Sequence, residues 1–345
     1  MQRRVSTKGP ILLFVLILSQ LGSQARAAGA QPDDLRELRE IRYVMGTLLD
    51  ITLYHHDAKE ARRLLDISFS LAQRLDDLLS NYKLQSEVNR LNQMAGAGTV
   101  KVSPELYDFL ALTKELWKKT DRAFDVTVGA VMQLWKEAER KTVLPSPTAL
   151  RKVLGLVGMH HVILYGNSEV NLTQRGMTID TGGIGKGYAV DKIVKLLRDS
   201  GITTALINFG QSSIYALGAP PGNPAWNLLL QFPEQSPWGV VRLKDQALSA
   251  SDTFGRSFEI RGKRYGHIVD PATGVPLGQR IQAVILTLSA ADGEALSKYV
   301  ILRNWKKEDQ NSWQNARLLR RGANGEFWCS ENFSLPSRIS GCQAF

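Results

Sequence analysis

One short stretch, Ile179–Ile193 (IDTGGIGKGYAVDKI), limits the possible folds more than any other part of the chain. An extended run, Met177–Asp180, must turn through closely spaced glycines into apolar positions Ala189, Val190, Ile193, Val194 and Leu197, which recur at helical spacing until Gly201. This is a strand, a tight turn and a helix. The two common glycine-loop templates both fail here. A dinucleotide fingerprint begun at Gly183 meets Tyr188 where a third glycine must let helix and strand pack closely. A P-loop needs a hydroxyl after Gly185-Lys186, and Gly187 follows; Asp180 also stands where its first glycine belongs. Two readings remain. The unpaired N–H groups and positive dipole end of the helix, with Lys186, suit an anion; alternatively, the glycines serve only a turn of positive φ.

The chain of 345 residues can bury a large core in one domain or two modest ones. Its first 27 residues are set apart. Arg3, Arg4 and Lys8 precede the apolar run ILLFVLILSQL, and Ala25-Arg26-Ala27 offers small residues for cleavage, so a signal peptide over 1–27 and export to the periplasm or another extracytoplasmic space are expected. The run is shorter than the ~20 residues that span a bilayer, and no cysteine beside it could take a lipid. No stable membrane insertion is expected after cleavage; an uncleaved anchor is the alternative. Losing Arg3, Arg4, Lys8 and Arg26 lowers the formal charge from +10 to +6, a modest and scattered excess that does not indicate nucleic acid. The only cysteines, Cys329 and Cys342, could close a small loop in an oxidising compartment; two free thiols are the alternative, and there is no CxxC redox pair.

After a linker over 28–40, YVMGTLLDITLY reads as one or two strands around Met45-Gly46-Thr47, followed by long helices through AKEARRLLDISFSLAQRLDDLLS and PELYDFLALTKELWKKT. A further helix opens at Ser146-Pro147, a cap and a favoured first-turn proline. From Val162 onward short β-rich runs are divided by Gly and Pro turns and interrupted by helices over 184–200 and 290–302. The class is α+β: one large domain of two intimate lobes, with mixed sheets and flanking helices over 41–308 and a C-terminal extension over 309–345.

Other stretches are ambiguous alone. NYKLQSEVNRLN joins Tyr82 to Ser86-Glu87, ordinarily a helix cap; AFDVTVG puts Asp125 where it can satisfy backbone donors; HIVDPATG contains a type I turn order. His267 stands apart, because the remaining histidines form the adjacent pairs His55-His56 and His160-His161. There is no His/Cys zinc set and no GxSxG nucleophile elbow.

Taken in order, MGT, YKLQSEVNRLN, FDVTVG, DTGGIGKGYAVD, INFG and HIVDPATG resemble the FAD:protein FMN transferases, the ApbE family, from about Tyr43 to Leu302. The resemblance implies a T-fold-related architecture and an enzyme that cleaves the FAD pyrophosphate with help from magnesium. FMN would pass to a Thr or Ser hydroxyl of an exported flavoprotein, leaving AMP. It implies that Met45, Tyr82, Ala123, Phe124, Asp125, Asp180, Lys186 and Ile268 hold the flavin nucleotide, with Tyr82 suited to stacking. It makes His267 the base for the incoming hydroxyl, and gives magnesium the Gly183 carbonyl, Glu294 and Ser297. One departure matters: the family pattern A-D-A-L-S-T corresponds here to GEALSK, so Glu294 takes the Asp position and Lys298 the Thr position. A shift to Asp292 breaks the ALS match. Glu294 and Lys298 suit a helix salt bridge; alternatively the ammonium takes the metal's place, or turns away from it. A weakened magnesium site is the leading expectation. A second departure replaces one glycine of an NxGG pair, giving Gly210-Gln211. The rival functions are a catalytically weak flavin-binding protein of the same fold and an FAD pyrophosphatase yielding FMN and AMP.

Overall fold

Alternation of side chains across strands builds the middle of the molecule. The computed structural model describes residues 14–17, 35–232, 236–303, 305, 309–334, 339 and 341–345. Its main sheet has nine strands: β1 (Arg36–Val44), β2 (Thr47–His55), β3 (Ala205–Phe209), β4 (Ser213–Leu217), β5 (Gln246–Asp252), β6 (Gln282–Thr287), β7 (Arg317–Arg321), β8 (Phe327–Cys329) and β9 (Gln343–Ala344). They lie side by side in chain order, antiparallel except for β8 and β9. The β1–β2 connection is a two-residue turn at Met45 (φ 49°) and Gly46 (φ 74°), so this stretch is a hairpin with both turn residues left-handed. Cys329 and Cys342 are joined as a disulfide with Cα atoms 6.0 Å apart.

Because successive strand residues point to opposite faces, each strand feeds two cores. Ala205, Ile207, Phe209, Ala283 and Ile285 face a helical layer, while Leu206, Leu248, Val284 and Leu286 face a second, smaller sheet. That sheet has Trp226–Gln231 at its centre, with Gly239–Leu243 on one side and Phe14–Ile17 on the other. The rest of the signal-peptide reading over 1–27, and 28–34 of the linker, lie outside the described residues. Among the described residues no helix is long and apolar enough to cross a membrane.

The helical layer comprises α1 (Ala58–Leu79), α2 (Glu87–Gln93), α3 (Pro104–Lys119), α4 (Gly129–Lys141), α5 (Pro147–Leu154), α6 (Gly185–Asp199) and α7 (Ala290–Leu302). Their starts follow ordinary capping chemistry: Asp57, Ser86, Ser103, Ser146 and Ser289 each accept a first-turn N–H. The exceptions are α4 and α6, whose first turns have no side-chain cap. Each fully buried Leu or Ile in this layer contributes about 1.5–3 kcal/mol, which favours the arrangement over a separated one.

Two contacts fix α6 against α7 and thereby place the site. Gly187 is needed because a Cβ there would stand 2.7 Å from the Ala290 carbonyl oxygen. One turn later, the Asp191 carboxylate accepts the Ala290 N–H at 2.7 Å, the Ala291 N–H at 2.9 Å and the Ser289 hydroxyl at 2.8 Å. Burial pushes Asp191 up to about 6 even against these donors. A third core, with Trp135 and Val131 of α4 packed on Ile260, Tyr265 and Val269, carries the segment that contains His267.

Candidate active site

The glycine stretch enters its turn from a backbone held at both edges. The Asn92 side chain accepts the Ile179 N–H at 2.8 Å and donates to the Ile179 carbonyl at 3.1 Å. The Asn81 amide also donates to that carbonyl at 2.7 Å, and its oxygen accepts the Thr181 N–H at 2.8 Å. Asp180 N–H donates to the Val126 carbonyl at 2.6 Å, and the Asp180 carboxylate accepts the Gly182 N–H at 2.8 Å. The segment that looked like a helix cap therefore does two jobs. Ser86 caps α2, while Asn81 and Asn92 grip residues about ninety positions away.

Asp125 is likewise committed to local structure. Its carboxylate accepts the Thr127 N–H at 2.8 Å and the Thr127 hydroxyl at 2.5 Å, and Thr127 in turn accepts the Gly158 N–H at 2.6 Å. Burial raises the Asp125 pKa, and these bonds oppose the rise. Asp270 resolves the same way: it accepts the Ala272 N–H at 3.0 Å and pairs with Arg303 at 3.0 Å beneath a turn closed by Thr273 and Gly274.

Four separate segments meet at the uncapped start of α6. Gly183 lies where an added Cβ would touch Lys298 Cε at 3.8 Å and the Phe124 ring at 3.9 Å. Ala123 and Phe124 are buried. Lys186 reaches from the first turn of α6 to the Glu294 carboxylate on α7, 3.5 Å away. Glu294 is buried and its Oε1 also accepts the Ser213 hydroxyl, whereas its Oε2 has no partner among the described residues. Glu294 thus pairs across helices with Lys186, and the salt bridge to Lys298 expected from their spacing is not formed. Loss of hydration pulls the Lys298 ammonium down to about 8; Glu294 opposes the shift and Lys186 adds to it.

His267 lies on the wall beside this cluster with part of its residue surface open to solvent, while its ring is packed against Arg256 and Gly255 and loses much of its hydration there. Its Nδ1 lies 3.1 Å from the Arg256 carbonyl and 3.4 Å from the Arg256 N–H, so Nε2 is the nitrogen left for a reacting proton. Loss of hydration, then the charges of Lys298 and Arg256, hold its pKa down to about 4, so the ring is neutral at pH 7. Ile268 is buried directly behind it. Tyr82 is 78% exposed, beside the pinned Asn81, and Lys136 sits 5.3 Å from its ring centroid. A flat face is therefore open for stacking. Met45 is tied in less directly. The β2 strand beyond its turn accepts Gly210 N–H at the Leu48 carbonyl, and Ser213, three residues past Gly210, holds Glu294.

The expected magnesium donors fare unevenly. Ser297 donates to the Glu294 backbone carbonyl at 2.7 Å and shares a hydrogen bond with Ser251 at 2.8 Å. Beside Gly183 stands the Lys298 stem, and Glu294 already faces Lys186. Among the described residues no group of three or more His, Cys, Asp or Glu side chains could hold a metal. Magnesium demands near-octahedral oxygen ligands. The residues present, one carboxylate between two ammonium groups, do not fit it.

Sequence reading missed Asp191, Ser213, Asn81 and Asn92. Only the last two carried a signal: asparagines bracketing a cap without being needed for it.

Residues 45–315 match the ApbE family. A protein of Treponema pallidum named FAD:protein FMN transferase is 31% identical over 314 residues, covering 86% of this chain and 85% of that protein. One of Klebsiella pneumoniae with the same name is 32% identical over 256 residues, covering 73% and 78%. The crystal structure of the ApbE protein of Thermotoga maritima superimposes with a TM-score of 0.76 at 26% identity, covering 87% of this chain and 98% of its own.

Proposed function

The chain belongs to the ApbE family, and from that premise we propose that it transfers FMN from FAD to a Thr or Ser hydroxyl of an exported flavoprotein, releasing AMP. The observation that carries this reading is the meeting of two ammonium groups, Lys186 and Lys298, with an uncapped helix start and the free Nε2 of His267. A diphosphate is the natural complement of two cations over unpaired N–H groups. The α6 first turn and Lys186 bind it, Tyr82 takes the isoalloxazine ring, and the buried Phe124 keeps water from the loop's inner side.

The acceptor hydroxyl oxygen attacks the phosphorus that carries riboflavin, and the bond from that phosphorus to the bridging oxygen breaks. AMP departs with the electron pair on that oxygen, and the hydroxyl proton passes to His267 Nε2. Positioning and charge neutralisation do most of such work, with the base adding a share. No part of this sequence runs through magnesium. Export is supported by the basic residues and apolar run that open the chain.

A second reading, a flavin-binding protein without transfer, is favoured by one feature: Lys298 at a position where the family pattern has Thr. The two are separated by incubating the purified chain with FAD and a Thr-bearing acceptor and looking for flavin fluorescence that survives denaturing electrophoresis. A labelled acceptor supports transfer; tightly bound FAD with an unlabelled acceptor supports the second reading.

A further inference from the structure

The misfit of magnesium to these residues leaves a question of charge. FAD brings a diphosphate to a loop that needs neutralising cations, yet the expected ligands are spent or obstructed. Ser297 is occupied by Ser251 and by its own helix. Glu294 is held by Ser213 and Lys186. The Lys298 stem passes along Gly183, at van der Waals distance from where a side chain would begin. Its ammonium makes no hydrogen bond or ion pair among the described residues, although Glu294, Lys186 and His267 all lie within its electrostatic reach. Lys298 is half-buried, and cations withdrawn from water are ordinarily paired. An unpaired one beside a glycine loop and a half-satisfied carboxylate is a group whose partner arrives with a ligand.

Resting on the FAD reading above, we propose that the Lys298 ammonium occupies the position a divalent cation would take, so that this protein holds the FAD diphosphate without magnesium. Lys186 then pairs with Glu294 through Oε1, while Lys298 lies within electrostatic reach of the same carboxylate, whose Oε2 has no partner among the described residues. A divalent cation placed there would meet a fixed like charge and is excluded while the lysine is present. The lysine is thus a substrate-binding residue that changes the metal requirement.

The test is a fluorescence titration of FAD into the full chain, in excess EDTA and in millimolar magnesium, for wild type, Lys298→Met and Lys298→Thr, with folding checked by circular dichroism. Wild type should bind FAD with Kd values agreeing within about twofold in the two buffers. Lys298→Met, which keeps the stem and loses the charge, should weaken binding about tenfold or more in EDTA, and magnesium should not restore it. Lys298→Thr should lose a similar factor in EDTA and regain it with magnesium. Wild-type binding that tightens tenfold with magnesium overturns the inference and leaves the FAD reading standing, and so does Lys298→Met binding as wild type does in EDTA. No FAD binding in either buffer overturns both. Should the variants not fold, the wild-type comparison alone still decides.

Discussion

Two sides of the glycine loop are built by opposite rules. On the entry side, Asn81 and Asn92 satisfy both polar groups of Ile179 and the N–H of Thr181, and Asp180 N–H finds Val126. On the α7 side, among the described residues, Glu294 Oε2 is buried without a partner and the half-buried Lys298 ammonium makes no hydrogen bond or ion pair. Buried polar groups left unmade cost about 1–3 kcal/mol each, so a fold retains them only where something else is gained. The entry side is a frame that fixes backbone position. The α7 side is a face kept open for a ligand.

Each variant that follows separates frame from face. The largest effect belongs to His267 at the edge of the face. His267→Ala should slow FMN transfer by about 10²–10⁴ while FAD remains bound, as single-turnover AMP release and FAD titration would show. Lost binding with an unchanged transfer rate would make it a binding residue instead.

On the frame side, Asn92→Ala orphans the N–H of the buried Ile179 and should cost about 2 kcal/mol in urea unfolding. Lys186→Ala on the face should change stability by less than about 0.5 kcal/mol and weaken FAD roughly tenfold. If the two variants exchange phenotypes, the division fails.

The pH profile sharpens the same division. His267 must be neutral to accept a proton, and its pKa is held down to about 4, so it is in the working form throughout the neutral range. For the free protein, kcat/KM should fall about tenfold per unit only as pH drops below about 4, provided the fold survives there. A limb near the ordinary histidine value of about 6.5 would show that the ring is not desolvated as described.

The smallest effect is expected at Gln211. This residue holds φ 56° in the β3–β4 turn, a left-handed conformation that favours glycine. Gln211→Gly relieves the left-handed strain and adds unfolded-state freedom, so the net change in unfolding free energy should stay below about 1 kcal/mol.

How much of this was legible beforehand follows from the range over which each interaction acts. Helix starts such as Ser103-Pro104 and Ser146-Pro147 are written within four residues, and the sequence placed them well. The glycine stretch declared its turn and helix for the same reason, but the extended run before it, expected as a strand, forms only an isolated bridge between Thr178 and Val128. Met45-Gly46 marked a turn but not whether the strands on each side pair, because β1 and β2 each alternate adequately alone. The nine-strand order was not legible, nor was the extension over 309–345 supplying β7, β8 and β9, since pairing depends on partners far along the chain. The site divided similarly. Its residue types could be listed, but Asp125 and Asp270 carry the same local signals as the frame they belong to. Four-residue spacing favoured Glu294–Lys298, whereas the close α6–α7 contact permitted by Gly187 brings Lys186 to Glu294 instead.

The central claim is that this open face carries FAD through to transfer. The most direct measurement is the ratio of AMP released to FMN covalently attached, followed in one reaction of the purified chain, FAD and a Thr-bearing acceptor. The account predicts one AMP for each attached FMN, and no AMP when the acceptor threonine is replaced by valine. AMP accumulating with free FMN at the same rate in both reactions would contradict it, and would make the protein a pyrophosphatase that spends FAD on water.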